Sequence, residues 1–302
     1  MAPRFSLILI YLLMLAGSAI GQSDPPQTTD RPPFTVIEID LQNAEGEPIR
    51  GWLGKVDLSF PGLEVVVTEP LETPAEDEQT EAILTPTDQW AREQGLTLAV
   101  NANFYGIVDR RTRAADVMGL SISDGEVVSP PRAYEGVNDP AVVFNRHGKA
   151  RVLVPPPGFD FGVVHDGVAG IGASPNDPDR HGLIVLNSEN HGATARVAPE
   201  VRHPRTAVGV DRKGDTLFLL VIDGRQPEWS VGVTLPELAE ILIEHGADDA
   251  LILDGGGSST FIYVPDGQDP EAPNGPITNR PSDGQFRAVA NHLGFRLDPT
   301  AR

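Results

Sequence analysis

Short apolar runs separated by turn residues dominate the chain from residue 34 onward. Residues 34–41 alternate apolar with polar side chains, which is typical of a half-buried strand. Turn residues rich in Asp and Gly separate most of the later runs. Further strands are predicted at 63–68, 98–100, 141–144, 183–186, 206–210, 217–222, 250–253, 260–264 and 291–296.

Two segments carry helix signals. Thr85 precedes a proline, which predicts an N-cap with proline at the first helical position, and Gly95 ends that segment. Thr234 and Glu237 have the spacing of a capping box, and Gly246 ends the second helix. Many strands with few helices predict an α+β fold: a strand-rich single domain with mixed or antiparallel sheets.

The first 21 residues have the order of a secretory signal peptide. A basic start ends at Arg4, residues 5–20 are almost wholly apolar, and Ala19 and Gly21 are small residues placed for cleavage after Gly21. The apolar run is shorter than the roughly 20 residues of a spanning helix, although an uncleaved anchor is the alternative. We therefore expect a secreted, periplasmic or cell-envelope protein without membrane insertion after cleavage.

Composition indicates how the rest of the chain is divided into segments and which classes of function are excluded. A proline-rich leader is expected at 22–33 and one domain at 34–298. The chain has 43 acidic and 23 basic residues and a formal net charge of −20, so nucleic acid is not an expected partner. It has no cysteine, which excludes disulfides, thiolate metal sites and cysteine nucleophiles. In so acidic a chain, a local group of arginines predicts a site for an anion.

The strongest chemical signal is an aspartate followed by glycines and hydroxyls. Asp254 ends a predicted buried strand and precedes Gly255, Gly256, Gly257 and Ser258. Glycines let a ligand approach the main chain, and consecutive amides can form an anion site. The alternative is a tight turn whose amides the aspartate satisfies.

A second predicted strand also ends in an aspartate, Asp223, which Gly224 and Arg225 follow. Paired carboxylates are what glycoside cleavage uses, one at the sugar carbon and one moving a proton. The pattern therefore predicts Asp223 and Asp254 as catalytic residues. Asp-Gly is also a common turn dipeptide, which leaves a structural role open for Asp223.

Arginines, amides and an aromatic ring supply candidate substrate contacts. A guanidinium matches phosphate or carboxylate oxygens in two-point contact, and ordinary surface ion pairing is the alternative. Sugar-binding surfaces commonly combine side-chain amides, which bond the sugar hydroxyls, with aromatic rings, which stack on the sugar. An Asn-rich turn would show the same sequence pattern and is the alternative. The arginines are Arg202, Arg205, Arg225, Arg280 and Arg287, and the sugar candidates are Asn101, Asn103 and Tyr105.

Metal signals are weak. The seven histidines show no metal-ligand spacing, and His203, beside Pro204 and Arg205, is the one histidine that draws notice. Residues 177–179 and 266–269 hint at calcium loops without the full EF-hand pattern. The motifs require no cofactor and predict no metal site; a divalent cation held by Asp223 and Asp254 is the alternative.

Together these segments resemble the phosphodiester glycosidase family. The likeness spans roughly residues 97–296 and departs from the family at Asn103, where glycine is common, and at Tyr105, where phenylalanine is common. The segments that carry it are Asn101-Ala102-Asn103-Phe104-Tyr105-Gly106, Arg205-Thr206-Ala207-Val208-Gly209-Val210, Asp223-Gly224-Arg225, Thr234-Leu235-Pro236-Glu237-Leu238-Ala239, Leu253-Asp254-Gly255-Gly256-Gly257-Ser258-Ser259-Thr260, Asn279-Arg280-Pro281-Ser282 and Arg287-Ala288-Val289-Ala290-Asn291.

The resemblance implies a hydrolase: a glycosidase that cleaves a sugar phosphodiester (a glycosyl-1-phosphate) or a related envelope or extracellular glycan linkage. On this hypothesis Asp254, aided by Asp223, supports positive charge at the sugar carbon. Arg205, Arg225 or Arg287 holds the phosphate, and the amides of residues 255–258 share it. Two alternatives are a metal-dependent phosphodiesterase and a non-catalytic glycan-binding protein of the envelope.

Overall fold

The computed structural model describes residues 32–72, 79–134, 136–174, 176, 181–265 and 275–298. The predicted signal peptide at 1–21, the leader up to residue 31 and the two calcium-loop candidates at 177–179 and 266–269 lie outside the described residues. Within the described part, no helix has both the length and the apolar content needed to cross a membrane.

Strands make up most of the regular structure. The two α-helices of the described residues are α1 (Thr87–Glu93) and α2 (Leu235–Glu244), and short 3-10 turns lie at Phe161–Val163, Gly192–Thr194 and Gly256–Ser258. The strands are β1 (Phe34–Gln42), β2 (Pro48–Asp57), β3 (Leu63–Val67), β4 (Ala82–Ile83), β5 (Thr85–Pro86), β6 (Leu98–Asn101), β7 (Tyr105–Asp109), β8 (Ala114–Val117), β9 (Ser121–Ser123), β10 (Glu126–Ser129), β11 (Ala133–Tyr134), β12 (Val137–Asn138), β13 (Ala141–Phe144), β14 (Ala150–Leu153), β15 (Asp166–Ala169), β16 (Leu183–Leu186), β17 (Glu189–Asn190), β18 (Arg205–Val210), β19 (Thr216–Ile222), β20 (Asp249–Ile252), β21 (Phe261–Tyr263), β22 (Ile277–Thr278), β23 (Ala288–Val289) and β24 (His292–Leu297).

A seven-stranded sheet of order β1-β2-β19-β18-β20-β16-β17 brings the two aspartates to one edge. Strand β18 pairs antiparallel with β19 on one side and with β20 on the other. Strands β19 and β20 therefore run in the same direction, and both end at the edge where β18 begins. Because neighbouring strands are about 4.8 Å apart, the ends of β19 and β20 lie about 10 Å from each other. Asp223 and Asp254 follow these two ends.

Side-chain alternation gives this sheet two buried faces. Helix α2 covers one face, where it packs on a cluster that includes Ile222 and Ile252. The other face, which includes Val221 and Leu253, shares its core with Phe261 and other residues of a five-stranded sheet of order β22-β21-β6-β24-β3. A second five-stranded sheet, β10-β9-β15-β13-β14, completes the larger sheets.

The predicted helices and strands are present, with one correction at a helix start. Each predicted strand coincides with a strand of the fold to within two residues at either end, and the capping box between Thr234 and Glu237 forms. Thr85, however, is not the N-cap of α1: it lies in β5 and pairs with Val289. Proline disfavours helical geometry for the residue before it, so Thr85 stays extended and α1 begins at Thr87 without a side-chain cap.

The fold class is mostly β. Every strand pairing among the described residues is antiparallel, so the mixed pairing allowed by the sequence analysis is not found there. The described part of the chain has only α1 and α2 as α-helices, so the predicted α+β class describes the fold only loosely.

Candidate active site

A pocket of about 230 Å³ opens at the sheet edge where β18 begins. It combines one carboxylate with several cationic side chains and an apolar wall. Its lining residues are Phe104, Val197, Ala198, His203, Arg205, Arg225, Ile252, Leu253, Asp254, Gly255, Gly256, Gly257 and Arg287. Of the predicted site residues, Asp254, Arg205, Arg225, Arg287 and the three glycines therefore meet at one place.

The main chain of Asp254 is fixed on both sides. Its amide donates to the carbonyl of Ala102 at 2.9 Å, and its carbonyl accepts from Nδ2 of Asn101 at 2.6 Å. Its Oδ1 accepts from the amide of Gly255 at 3.0 Å. These bonds hold the carboxylate at the end of a buried strand while its side chain stays partly open to the pocket.

The surroundings of Asp254 make it harder to ionise than an ordinary carboxyl group. Burial raises the pKa of Asp254 to about 6, against the lowering effects of the Ser258 hydroxyl, the Gly255 amide and the charge of Arg287. A carboxyl group with this pKa is mostly ionised at neutral pH and mostly protonated a unit below its pKa.

The glycines of the loop make room for arginines. Gly256 has a φ of +63°, and a Cβ there would stand 3.2 Å from Nη2 of Arg225. A Cβ on Gly257 would overlap both Arg287 and Asp283. The loop therefore needs glycine at 257, because only a residue without a Cβ lets the Arg287–Asp283 ion pair pack against the main chain.

The amides of the loop are largely engaged within the protein. The amide of Gly255 donates to Oδ1 of Asp254, that of Gly256 to the carbonyl of Pro204 at 2.9 Å, and that of Ser258 to the carbonyl of Gly255 at 3.2 Å. Three of the four amides predicted to share a phosphate thus already have an acceptor, which leaves the anion mainly to side chains.

Arg205 is a buried cation that holds a pocket wall. Its guanidinium donates to the carbonyls of Val197 at 3.0 Å, Ala198 at 2.8 Å and Val201 at 2.9 Å, and its Nε has no partner. Burial, followed by the nearby charge of Arg225, lowers the pKa of Arg205 to about 10. Arg205 remains charged at neutral pH, and its hydrogen bonds to these three carbonyls fix the shape of the segment at 197–201.

The backbone of that wall is strained. Val197 has a φ of +73° and Ala198 a φ of +50°, a left-handed geometry that a β-branched residue rarely adopts. Strain of this kind persists only where the surroundings enforce it, and here Arg205 binds both carbonyls.

Two more arginines and a histidine lie near the glycine loop at 255–257. Arg225 is exposed, has a φ of +59°, and places Nη2 3.5 Å from Nδ1 of His203. Arg287 is tied to Asp283 by two bonds of 2.9 and 2.6 Å from Nε and Nη2. Burial, followed by the charges of Arg205 and Arg225, lowers the pKa of His203.

Asp223 is turned away from the pocket. Strand alternation places it with Val221 on one face of the sheet, whereas Asp254 continues the opposite face with Ile252. It is 1% exposed and does not line the pocket. The two aspartates thus share an edge without forming the carboxylate pair that the sequence analysis predicted.

The carboxylate of Asp223 is saturated with hydrogen bonds. Oδ1 accepts from Nδ2 of Asn279 at 2.9 Å and from the amide of Arg280 at 3.1 Å. Oδ2 accepts from Nε1 of Trp229 at 2.8 Å and from the same Arg280 amide at 3.0 Å. Burial nevertheless raises the pKa of Asp223. A cation bridging it to Asp254 would have to displace these donors.

Both predicted sugar-binding asparagines are buried cross-links. Asn101 binds Asp254 and accepts from Thr206 Oγ1 at 2.9 Å, and it is fully buried. Asn103 donates to the carbonyls of Met118 and Leu120 and accepts from the amide of Ala169 and from Asn291. Their hydrogen-bonding capacity is used inside the protein, which favours a structural role over the predicted sugar contact.

Tyr105, Ser258 and Arg280 surround the pocket without lining it. Tyr105 donates to the carbonyl of Ala288 at 3.2 Å, and burial, followed by the charge of Asp254, raises its pKa. The Ser258 hydroxyl lowers the pKa values of both Asp254 and Tyr105, yet it is buried without a hydrogen bond of ordinary geometry. The Arg280 guanidinium lies 5.6 Å from the ring centre of Trp229. Ser258 thus places a hydroxyl group beside Asp254.

Several lining residues carried no sequence signal of their own. Phe104 stands inside a recognised motif, whereas Val197 and Ala198 lie in an irregular loop whose carbonyls Arg205 binds. Ile252 and Leu253 are pocket walls that the sequence presents as ordinary strand residues. Among the described residues, no group of three or more His, Cys, Asp or Glu side chains is placed to hold a metal ion.

The sequence matches one family model and several known proteins. The phosphodiester glycosidase family model matches residues 94–296. The N-acetylglucosamine-1-phosphodiester alpha-N-acetylglucosaminidase of Bos taurus is 30% identical over 210 residues, which cover 65% of this chain and 34% of that protein. The Mus musculus enzyme of the same name is 26% identical over 284 residues, or 89% of this chain and 48% of that protein. This chain therefore spans about a third to a half of these relatives.

Solved structures share the fold. The zebrafish N-acetylglucosamine-1-phosphodiester alpha-N-acetylglucosaminidase catalytic domain, auto-inhibited by its pro-peptide, aligns with a TM-score of 0.62 at 19% identity and covers 89% of this chain and 85% of that one. A putative exported protein of Burkholderia pseudomallei aligns with a TM-score of 0.54 at 15% identity, covering 83% and 74%. At these identities the structures establish the fold alone. Because the family model matches more than half of the sequence, the chain belongs to the phosphodiester glycosidase family.

Proposed function

We propose that this chain is a hydrolase that cleaves the glycosidic bond of a sugar-1-phosphodiester in the pocket beside Asp254. The observation that carries this proposal is the charge of the pocket. Asp254 is the one carboxylate among its described lining residues, and it faces Arg205, Arg225 and Arg287. A carboxylate beside an anion site suits a substrate that develops positive charge on its sugar and leaves negative charge on its phosphate.

The cations of the pocket support the anion site. The chain carries a net charge of −20, yet neither Arg205 nor Arg225 forms an ion pair with a carboxylate of the described residues. The Nη atoms of Arg205 already donate to three carbonyls, so Arg205 contributes mainly its charge, whereas the guanidinium of Arg225 can bind phosphate oxygens in two-point contact. Arg225 is the exposed member of this pair, so it is the more accessible to a substrate.

The apolar wall supports a sugar ring. Phe104, Val197, Ala198 and Ile252 lie beside the charged groups in the same pocket. Aromatic and aliphatic side chains bind the C–H faces of sugars, while the charged groups fix the phosphate. The pocket thus offers a separate environment to each half of a glycosyl phosphate.

One catalytic carboxylate is enough for this chemistry. A phosphate leaving group has a pKa near ~6, so it departs without a general acid. Ionised Asp254 stabilises or attacks the cationic sugar carbon, or takes a proton from water. Water adds to that carbon, the bonding electrons leave with the phosphate oxygen, and the products are a free sugar and a phosphomonoester. In this scheme Asp223 positions the end of β19 and the segment at 279–280.

Hydrolysis in water labelled with oxygen-18 tests the proposal. With sugar-1-phosphodiesters as substrates, we expect a phosphomonoester product without the label, because the bond between carbon and oxygen breaks. Label in the phosphate, read by phosphorus NMR, would establish a phosphodiesterase instead. We also expect activity to persist in EDTA. Loss of activity in EDTA with recovery on adding a divalent cation would support the metal-dependent alternative.

A further inference from the structure

His203 occupies a fixed place in the pocket. It lies directly before Pro204 and Arg205, and its backbone exchanges two hydrogen bonds of 3.2 Å with Val233. A Cβ on Gly232 would overlap the carbonyl of His203, so the chain on that side is packed against it. The ring is half-buried and lines the pocket together with Asp254.

The neighbours of the ring define its neutral form. Its Nδ1 lies 3.5 Å from Nη2 of Arg225, and a guanidinium can only donate. Nδ1 must therefore be the acceptor, and the neutral ring carries its proton on Nε2. Among the described residues, no protein group accepts a hydrogen bond from Nε2, so that donor is available to a ligand in the pocket.

The charges around the ring disfavour its imidazolium form when the pocket holds no anion. Burial, followed by the charges of Arg205 and Arg225, lowers the pKa of His203. Arg287 lies across the same pocket as a further cation, and Asp254 is the anion that offsets them. An added negative charge in the pocket would raise the pKa of the ring again, because it favours the imidazolium form.

The proposed reaction adds such a charge. A phosphodiester carries one negative charge, whereas the phosphomonoester left after the bond between sugar carbon and oxygen breaks carries close to two above a pKa of about 6. Hydrolysis with water at that pH therefore releases one proton for each bond broken. The pocket must hold a product with one more negative charge than its substrate.

We propose that His203 matches this change in charge: it is neutral beside the phosphodiester substrate and takes up a proton beside the phosphomonoester product. In both states Nε2 donates to a phosphate oxygen. In the second state Nδ1 is protonated as well, so the exposed Arg225 guanidinium gives up its contact with Nδ1, and the ring adds a full positive charge. The biological meaning of this inference rests on the proposed function, but its test needs no catalysis. It makes His203 the residue by which the pocket distinguishes the two charge states of phosphate.

The direct test is the pKa of His203 measured by NMR of the full chain. With methyl phosphate, a monoester, we expect this pKa to rise by about one unit or more, whereas dimethyl phosphate, a diester, should move it less. Equal shifts with both compounds, or no shift with either, would overturn the proposal. This arm uses the unaltered protein, so the folding of a variant does not enter.

Calorimetry of a variant gives the second test. His203→Gln keeps a donor but cannot become charged. At pH 7, where methyl phosphate is mostly a dianion, it should bind methyl phosphate about ten-fold more weakly and dimethyl phosphate nearly as well as before. Proton uptake on binding methyl phosphate, measured in two buffers of different ionisation enthalpy, should disappear in this variant and persist in His147→Gln. His147 is an exposed turn residue outside the pocket. Equal losses for both esters would make His203 a plain anion contact and overturn the proposal.

These results separate from those of the proposed function. If labelled water shows no cleavage of any sugar phosphodiester while His203 still responds to methyl phosphate as expected, the function fails and the charge-matching site stands. If cleavage occurs and His203 does not respond, the charge-matching role fails alone.

Discussion

The environment of Asp254 decides at which pH its carboxylate carries charge. Burial raises its pKa to about 6, so the ionised fraction grows with pH up to that value and levels off above it. If the ionised form is the active one, kcat/KM should rise about ten-fold per pH unit below pH 6 and reach a plateau above it. Steady-state kinetics from pH 4.5 to 8 measure this profile. A value of kcat/KM that falls above pH 6 would make Asp254 a general acid instead.

Arg287 and Arg205 should respond differently to substitution. Arg287 is exposed, so Arg287→Ala should weaken phosphodiester binding about ten- to hundred-fold with little change in melting temperature. Arg205→Ala removes hydrogen bonds to three carbonyls and should lower the melting temperature as well. Calorimetry and thermal unfolding measure both effects. Arg92→Ala is the control for Arg287, because Arg92 pairs with Asp88 at the same i,i+4 spacing. If Arg287→Ala binds the phosphodiester as tightly as this control, Arg287 has no part in the anion site.

Asp254 and Asp223 show what a local sequence pattern can and cannot predict. The Asp-Gly-Gly-Gly pattern predicts that Asp254 ends a strand beside a glycine loop, because strand, aspartate and glycines are contiguous in sequence. The sequence shows equally well that Asp223 follows a strand, but its hydrogen bonds come from Trp229, Asn279 and Arg280, which lie up to 57 positions away. Partners at such distances carry no local signal, so a carboxylate that is saturated with hydrogen bonds looks the same in the sequence as one that faces a pocket.

At the scale of elements, the glycine loop between β20 and β21 couples the carboxylate to the cations. Gly257→Ala would drive a methyl group into Arg287 and Asp283. We expect the variant to lose at least about ten-fold in kcat/KM, because one displaced charge-assisted contact is worth about that factor. In the control, Gly106→Ala, the new Cβ meets nothing nearer than 3.7 Å. Equal kinetics in the two variants would show that the ion pair on the loop does not matter to the reaction.

Both helices and ten of the 24 strands in the described residues were predicted, and apart from β2 the missed strands have five residues or fewer. Strands with apolar runs were found because alternation and β-branched residues mark them. Strand β2 was missed because Gly51 and Gly54 interrupt its apolar pattern. The fold explains Gly51: a Cβ there would overlap the carbonyl of Val221 in the neighbouring strand. A glycine imposed by a tertiary contact is invisible to a local pattern.

At the scale of the whole molecule, the first feature to test is export of the chain. We propose that the chain is exported and that its mature form begins at Gln22, because residues 1–21 have the three regions of a signal peptide. Mass spectrometry of the protein from the culture medium or periplasm should find a chain starting at Gln22. An intact N-terminus on protein that remains with the membrane fraction would support the uncleaved anchor instead.

The acidic surface should also shape binding. A pocket with several cations in a chain of net charge −20 attracts an anion locally while the rest of the molecule repels it. Salt screens both effects beyond roughly 10 Å at 0.1 M, so the short contacts in the pocket should dominate affinity at physiological ionic strength. The position of the cations therefore matters more than the total charge.

Turnover of a sugar-1-phosphodiester by Asp254→Asn, compared with Asp223→Asn, tests the central claim that one carboxylate performs the chemistry. We expect Asp254→Asn to keep its melting temperature and to lose at least ~100-fold in kcat, about 2.7 kcal/mol of barrier. Asp223→Asn turns an amide toward donors that need an acceptor, so it should melt at a lower temperature while each folded molecule keeps most of its turnover. A well-folded Asp254→Asn enzyme with near-normal kcat would contradict the account.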